Sequence, residues 1–388
     1  MKPPCGPVSR PVLPDPAVAP PQALVRERLS GTCGNAITAQ AWSADGEFLA
    51  MATAGGELLL LDVRAGCEEL LRGDRDSGLD VLGFSPDGRF LMAAGQGGEL
   101  LLWEMGGTGV RPLAFDPVPL QAGWLDTAAW RPHGALLALG AGRRVRLWDG
   151  ESRALREESQ ELERTVLSLA WSRDGQRLAA ACHGEVLLWQ PEDPGEPPQR
   201  CATGSAGVAL GWSDQGTLLA SGQLDGSLML WPDGAAGRGW QFSGFPGKVR
   251  SLAWCDQPGR LAPLLAVSSS DISVIWSQQD RGAKGWKPEP LVLHEGRVNA
   301  VAFAPGSNLL ASASSDGTVA LWDGRGRLQQ LLEGDGQAIT CLSWRPDGRH
   351  LGAGGDQGQW WLWPVTLPPP VRSRPQPSRP PRSGGFAP

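Results

Sequence analysis

Histidine and cysteine are the residue types in this 388-residue chain best suited to nucleophilic, acid–base or metal chemistry. The four histidines, His133, His183, His294 and His350, fall in four different stretches. The seven cysteines, at 5, 33, 67, 182, 201, 255 and 341, include no CxxC pair. Cys182–His183 is the one adjacent pair, and a lone dipeptide lacks the spacing of a ligand set. GxSxG, Walker and HExxH motifs are absent, and so is a GxGxxG placed between strand and helix. An odd, unpatterned set of thiols reads as reduced, which excludes a disulfide scaffold and points to the cytoplasm. No enzyme, cofactor or metal centre is therefore expected.

The elements that carry these residues are defined by repetition. The pattern apolar-x-x-apolar-small-aromatic, followed by a polar glycine turn, occurs eight times, as in "ITAQAWSADG", "VLSLAWSRDG" and "ITCLSWRPDG". Its aromatic residues are Trp42, Phe84, Trp130, Trp171, Trp212, Trp254, Phe303 and Trp344, about 43 residues apart on average. Each copy continues as a short apolar stretch, a turn and a second apolar stretch, which ends at Leu61, Trp103, Trp148, Trp189, Trp231, Trp276, Trp322 or Trp363. Segments of four to seven residues between glycine turns read as antiparallel strands. The 18 tryptophans, against no tyrosine, follow from that regularity: 13 occupy these two repeat positions and serve as core.

The seventh copy, "VNAVAFAPGSNLLASASSDGTVALWD", resembles the WD-repeat family, and the eight copies extend the resemblance over residues 23–366. The resemblance implies an all-β, eight-bladed β-propeller of four-stranded antiparallel blades, used as a non-catalytic platform for protein partners. "ALVRERLSG" (23–31) has an outer-strand pattern and is expected to complete the eighth blade, because the Pro-rich stretch after Trp363 cannot continue a ladder. Residues 1–22 are expected to form a Pro-rich leader and residues 367–388 a Pro/Arg-rich tail. The family's polar tetrad maps fully onto the seventh copy alone, as His294, Ser312 or Ser314, Asp316 and Trp322.

In that family, partners commonly dock on the face formed by loops leading into the inner strands and by the turns between second and third strands. On this chain the face places Trp124, Asp126, Arg143 and Arg144 in copy three, Lys248 and Arg250 in copy six, and Arg297 and Asn299 in copy seven. Tryptophan and arginine are the residues most enriched at binding hot spots. The sequence analysis therefore expects a protein partner there, with one monomeric propeller acting inside a complex. The rival expectation is a small-ligand, metal-binding or enzymatic propeller that works through its central channel. With 35 basic against 41 acidic residues and no basic stripe in the repeats, no nucleic-acid partner is expected. No apolar run is long enough for a membrane span.

Overall fold

The structure, a computed structural model, describes residues 23–26, 28–106, 113–114, 118–120, 123–193, 196–233, 239–256 and 262–367. The expected leader 1–22 and nearly all of the tail lie outside the described residues. Within them the regular structure is strand, apart from one turn of 3-10 helix at Ala283–Gly285. Strands form because apolar side chains face inward on short segments bounded by tight turns. The glycine after the inner strand, such as Gly46, Gly88 and Gly348, has φ between 71° and 75°, which a Cβ would disfavour.

The strands build eight antiparallel blades in chain order. Their inner strands are Ile37–Trp42, Leu79–Phe84, Leu125–Trp130, Ser168–Trp171, the second half of Gln199–Trp212, Val249–Cys255, Val298–Phe303 and Ile339–Trp344. Buried side chains of adjacent blades pack into shared clusters: Trp148 of blade 3 lies with Phe90 and Met92 of blade 2, and Trp363 of blade 8 with Leu321 of blade 7. Apolar packing between neighbouring blades is thus the main source of cohesion.

Hydrogen bonds cross the seams and close the ring. The inner-strand indole N–H donates to a carbonyl of the preceding blade: Trp130 to Gly83 (3.1 Å), Trp171 to Ala129 (2.9 Å), Trp254 to Gly211 (3.0 Å) and Trp344 to Ala302 (3.0 Å). Trp42 of blade 1 donates in the same way to Ser343 of blade 8 (3.3 Å), so the last blade meets the first. Where Phe84 and Phe303 cannot donate, a hydroxyl still bridges the seam, as hydroxyls also do beside Trp42 and Trp171. The Thr38 hydroxyl donates to the Leu79 carbonyl, and the Ser251 hydroxyl accepts from Val301 N–H (3.2 Å). Wedge-filling alone does not explain the tryptophans at this position; they also staple the ring.

Two features depart from expectation. The closing strand is Leu29–Thr32, paired antiparallel from Leu29↔Leu362 to Thr32↔Gln359, and not the longer 23–31 segment. Leu24 and Val25 are held elsewhere: Thr366 N–H donates to the Leu24 carbonyl (2.8 Å), and Gln330 of blade 7 bonds Val25 at both its N–H and its carbonyl. The chain therefore crosses from blade 7 to blade 8 before it enters the sheet. The blades are also not all separate four-stranded sheets. Gln199–Trp212 is the outer strand of blade 4 and then the inner strand of blade 5, so these two blades form one seven-stranded sheet. "TGSAG", with its small side chains, lets the strand bend between blades without a loop.

Candidate interaction face

Inner strands enter the rim singled out from sequence through a β-bulge. In seven blades the register shifts between the first and third inner-strand residues, leaving Thr38, Asp80, Asp126, Val208, Arg250, Asn299 and Thr340 unpaired. A bulge re-aims the side chain it carries. Some of these side chains brace the seams: Thr340 donates to the Ile37 carbonyl (2.6 Å) and Asn299 Nδ2 to the Ile339 carbonyl (2.7 Å). Asp80, Asp126 and Arg250 put charge at the same level.

The eight rim residues singled out from sequence fall into two groups. In blade 3, Trp124, Asp126, Arg143 and Arg144 line one open groove of about 610 Å³ together with Arg146 and Glu161. Trp124 is 53% exposed, and its indole N–H donates to Asp80 Oδ2 of blade 2 (3.2 Å). Burial, reinforced by the nearby Asp80 carboxylate, pushes the Asp126 carboxyl above its ordinary range. Glu161 faces Arg143 at 3.9 Å and Arg144 at 3.6 Å. Exposed pairs of this kind contribute little and give way readily to a partner's charge.

The second group lies across the ring. Lys248 and Arg250 of blade 6 and Arg297 of blade 7 line a smaller pocket of about 180 Å³ with Ser268 from the second strand of blade 6 and Ser270 from the turn that follows it. Asn299 is drawn into the architecture: its Oδ1 accepts from Arg297 Nε (2.9 Å) while its amide bridges to blade 8. It thus orients Arg297. Both pockets open at the same end of their blades, where loops lead into inner strands, but they are separate sites. Sequence reasoning set Asp80 on this rim without giving it a role, and missed Arg146, Glu161 and Ser268. The alternation in "RRVRLW" signals Arg146; the other two needed the neighbouring strands.

The tetrad residues are hydrogen-bonded to one another. The His294 ring contacts Ser312 Oγ at Nε2 (2.8 Å) and Asp316 Oδ2 at Nδ1 (3.2 Å), while the Trp322 indole donates to Ser312 Oγ (2.9 Å). Thr318, which the sequence pattern did not flag, adds a hydroxyl 3.1 Å from Nδ1. Burial pushes the His294 pKa down and outweighs the raising effect of Asp316. For Asp316 burial acts upward, but hydrogen bonds from Thr318 and the charge of His294 hold its carboxyl below the usual range. Of the two serines considered, Ser312 is the member; Ser314 Oγ accepts from Asp316 N–H instead (3.1 Å). In blades 3, 5 and 6 the matching indoles of Trp148, Trp231 and Trp276 are buried with no partner for their N–H.

Cys182 and His183 do not converge: Cys182, between two strands, is buried, and His183, at the start of the next, is exposed. Burial pushes the Cys182 thiol up to about 11. Among the described residues no cluster of three His, Cys, Asp or Glu side chains could hold a metal ion. No helix among them is long and apolar enough to cross a membrane.

A closed ring of radial antiparallel sheets is a β-propeller. The family model described as WD domain, G-beta repeat matches residues 157–190, 197–232, 290–323 and 326–364, which correspond to blades 4, 5, 7 and 8. Transducin beta-like protein 3 from Bos taurus is 28% identical over 237 residues, covering 57% of this chain and 29% of that protein. THO complex subunit 3 from Arabidopsis thaliana is 30% identical over 136 residues, 34% of this chain and 42% of that protein. The chain thus spans less than half the length of these relatives. Among solved structures, Sqt1 from Chaetomium thermophilum, bound to the N-terminus of the ribosomal protein L10, has a TM-score of 0.73 at 19% identity, covering 86% of this chain and 97% of Sqt1. The chain thus folds as a β-propeller and carries WD repeats, matched in blades 4, 5, 7 and 8.

Proposed function

We propose that this propeller is a non-catalytic platform that binds a protein partner on the rim carrying Trp124, Asp126, Arg143, Arg144, Lys248, Arg250 and Arg297. The observation that carries this reading is Trp124: a tryptophan 53% exposed at the edge of a groove, where most other blades present a small or polar residue. An aromatic surrounded by arginines supplies large contact area at low entropic cost and is a typical anchor for a partner. The resemblance to Sqt1, which was solved with a peptide of a ribosomal protein, supports the use of such a ring for holding a protein segment. Among the described residues Cys33, Cys67, Cys182 and Cys341 are free thiols, which fits a reducing compartment such as the cytoplasm. A single propeller would act as one subunit of a complex.

Replacing Trp124 and Arg250 together by alanine is expected to abolish partner recovery by affinity capture with crosslinking, while thermal unfolding stays nearly unchanged. Unaltered recovery would show that the rim is not the site. Tight retention of a small ligand in native mass spectra would favour the central-channel reading instead.

A further inference from the structure

The blade 6–7 pocket has a chemistry that its residues define more closely than partner binding alone. Lys248, Arg250 and Arg297 are all exposed, and all three line one pocket of about 180 Å³. No carboxylate lies within ion-pair distance of any of them among the described residues, although the chain as a whole carries a net charge of −6. The same pocket is lined by Ser268, which is 1% exposed and whose hydroxyl has no hydrogen-bond partner. A buried hydroxyl left unsatisfied costs free energy, and such an orphan needs an explanation.

We propose that this pocket is an oxyanion site that receives the phosphate of a phosphorylated serine or threonine on the protein partner. The inference rests on the reading of the rim as a partner-binding face. Three cations converging on one small volume match a compact group of high charge. A phosphomonoester carries about −1.5 to −2 charges on three acceptor oxygens, whereas a single carboxylate offers one charge on two. An extended acidic segment would be better served by cations laid out in a row along the rim. Arg250 can engage the phosphate with its planar fork, and Lys248 adds a point charge. Arg297, whose Nε is committed to Asn299, keeps its terminal nitrogens free for the ligand. The Ser268 hydroxyl donates to the phosphate oxygen that reaches deepest.

The test uses the full chain and a fluorescent five-residue peptide of glycine and alanine around one central phosphoserine, with serine and glutamate versions as comparisons. The phosphoserine peptide is expected to bind saturably, and about tenfold more tightly than the glutamate peptide. Arg250→Ala should weaken it by about tenfold or more, and Arg250→Lys by less, since charge survives but the fork does not. Ser268→Ala should weaken it several-fold without lowering the unfolding temperature, an outcome that a merely structural serine would not produce. Lys287→Ala, which removes an exposed cation from the outer strand of blade 6, controls for net charge and should leave binding unchanged. Equal binding of the serine and phosphoserine peptides, or of the wild type and Arg250→Ala, would overturn the proposal. Equal binding of the glutamate peptide would also overturn it, in favour of a carboxylate. Any of these results leaves partner recovery to be read with Trp124→Ala alone, which does not touch this pocket, so the two readings fail separately.

Discussion

At the residue scale, the inner-strand tryptophans do two jobs that substitution can separate. Trp171 donates across its seam, whereas the Trp212 N–H is buried without a partner. Both rings also carry an arginine, Arg131 at 5.8 Å and Arg177 at 4.5 Å, so that contribution is shared. Trp171→Phe should therefore cost about 1 kcal/mol more than Trp212→Phe in denaturant unfolding, the value of one hydrogen bond plus the carbonyl it leaves unpaired. Phe84 and Phe303 already show that the ring tolerates phenylalanine when a hydroxyl bridges nearby. His294 provides a second test. Its pKa in the folded state lies below the ordinary 6.5, so the unfolded chain takes up the proton first. Stability linked to this group is complete above about pH 6.5 and is lost as pH falls below that value. His294→Ala should be less stable at pH 7.5 and should lose less on acidification to pH 5.5, as read by unfolding at both pH values.

At the element scale, the closing strand is the joint most exposed to failure. Four residues hold the outer edge of blade 8, and Gly31 lies directly over the indole of Trp360. A Cβ on Gly31 would fall 2.5 Å from Trp360 Cζ2, and Trp360 is only 2% exposed, so the ring has nowhere to retreat. Gly31→Ala is expected to destabilise the fold by about 1–3 kcal/mol, the usual cost of overpacking, measured as a lower denaturation midpoint. By contrast Gly66, on the turn before the outer strand of blade 1, has open space around its Cβ position but a φ of 67°. Substitution there should cost only the backbone strain of about 1 kcal/mol.

At the scale of the whole molecule, closure links residues that lie 301 and 303 positions apart. The seam between blades 8 and 1 is crossed by Trp42 to Ser343 and by Thr340 to Ile37. Removing both bonds, with Trp42→Phe and Thr340→Val, should give a loss that departs from the sum of the single losses, because the two share one interface. Trp42→Phe with Trp171→Phe, on distant seams, should add within about 0.5 kcal/mol in the same unfolding assay.

The copies of "ITAQAWSADG", the spacing of the aromatic residues and the run of glycine turns were enough to determine strands and eight blades, while the seventh-copy tetrad was implied by the resemblance to WD repeats. These are local signals: each depends on a residue's own backbone freedom or on its periodicity. The tertiary structure decided what depends on contact between blades. It set the closing strand at Leu29–Thr32 because Gly31 fits over Trp360, and it fused blades 4 and 5 through one strand of small residues. It also divided the rim residues between two pockets, since Trp124 and Arg250 sit on blades held apart by the ring. The orphan hydroxyl of Ser268 was legible only there, because a hydrogen bond's absence is a property of everything around the residue and not of the residue itself.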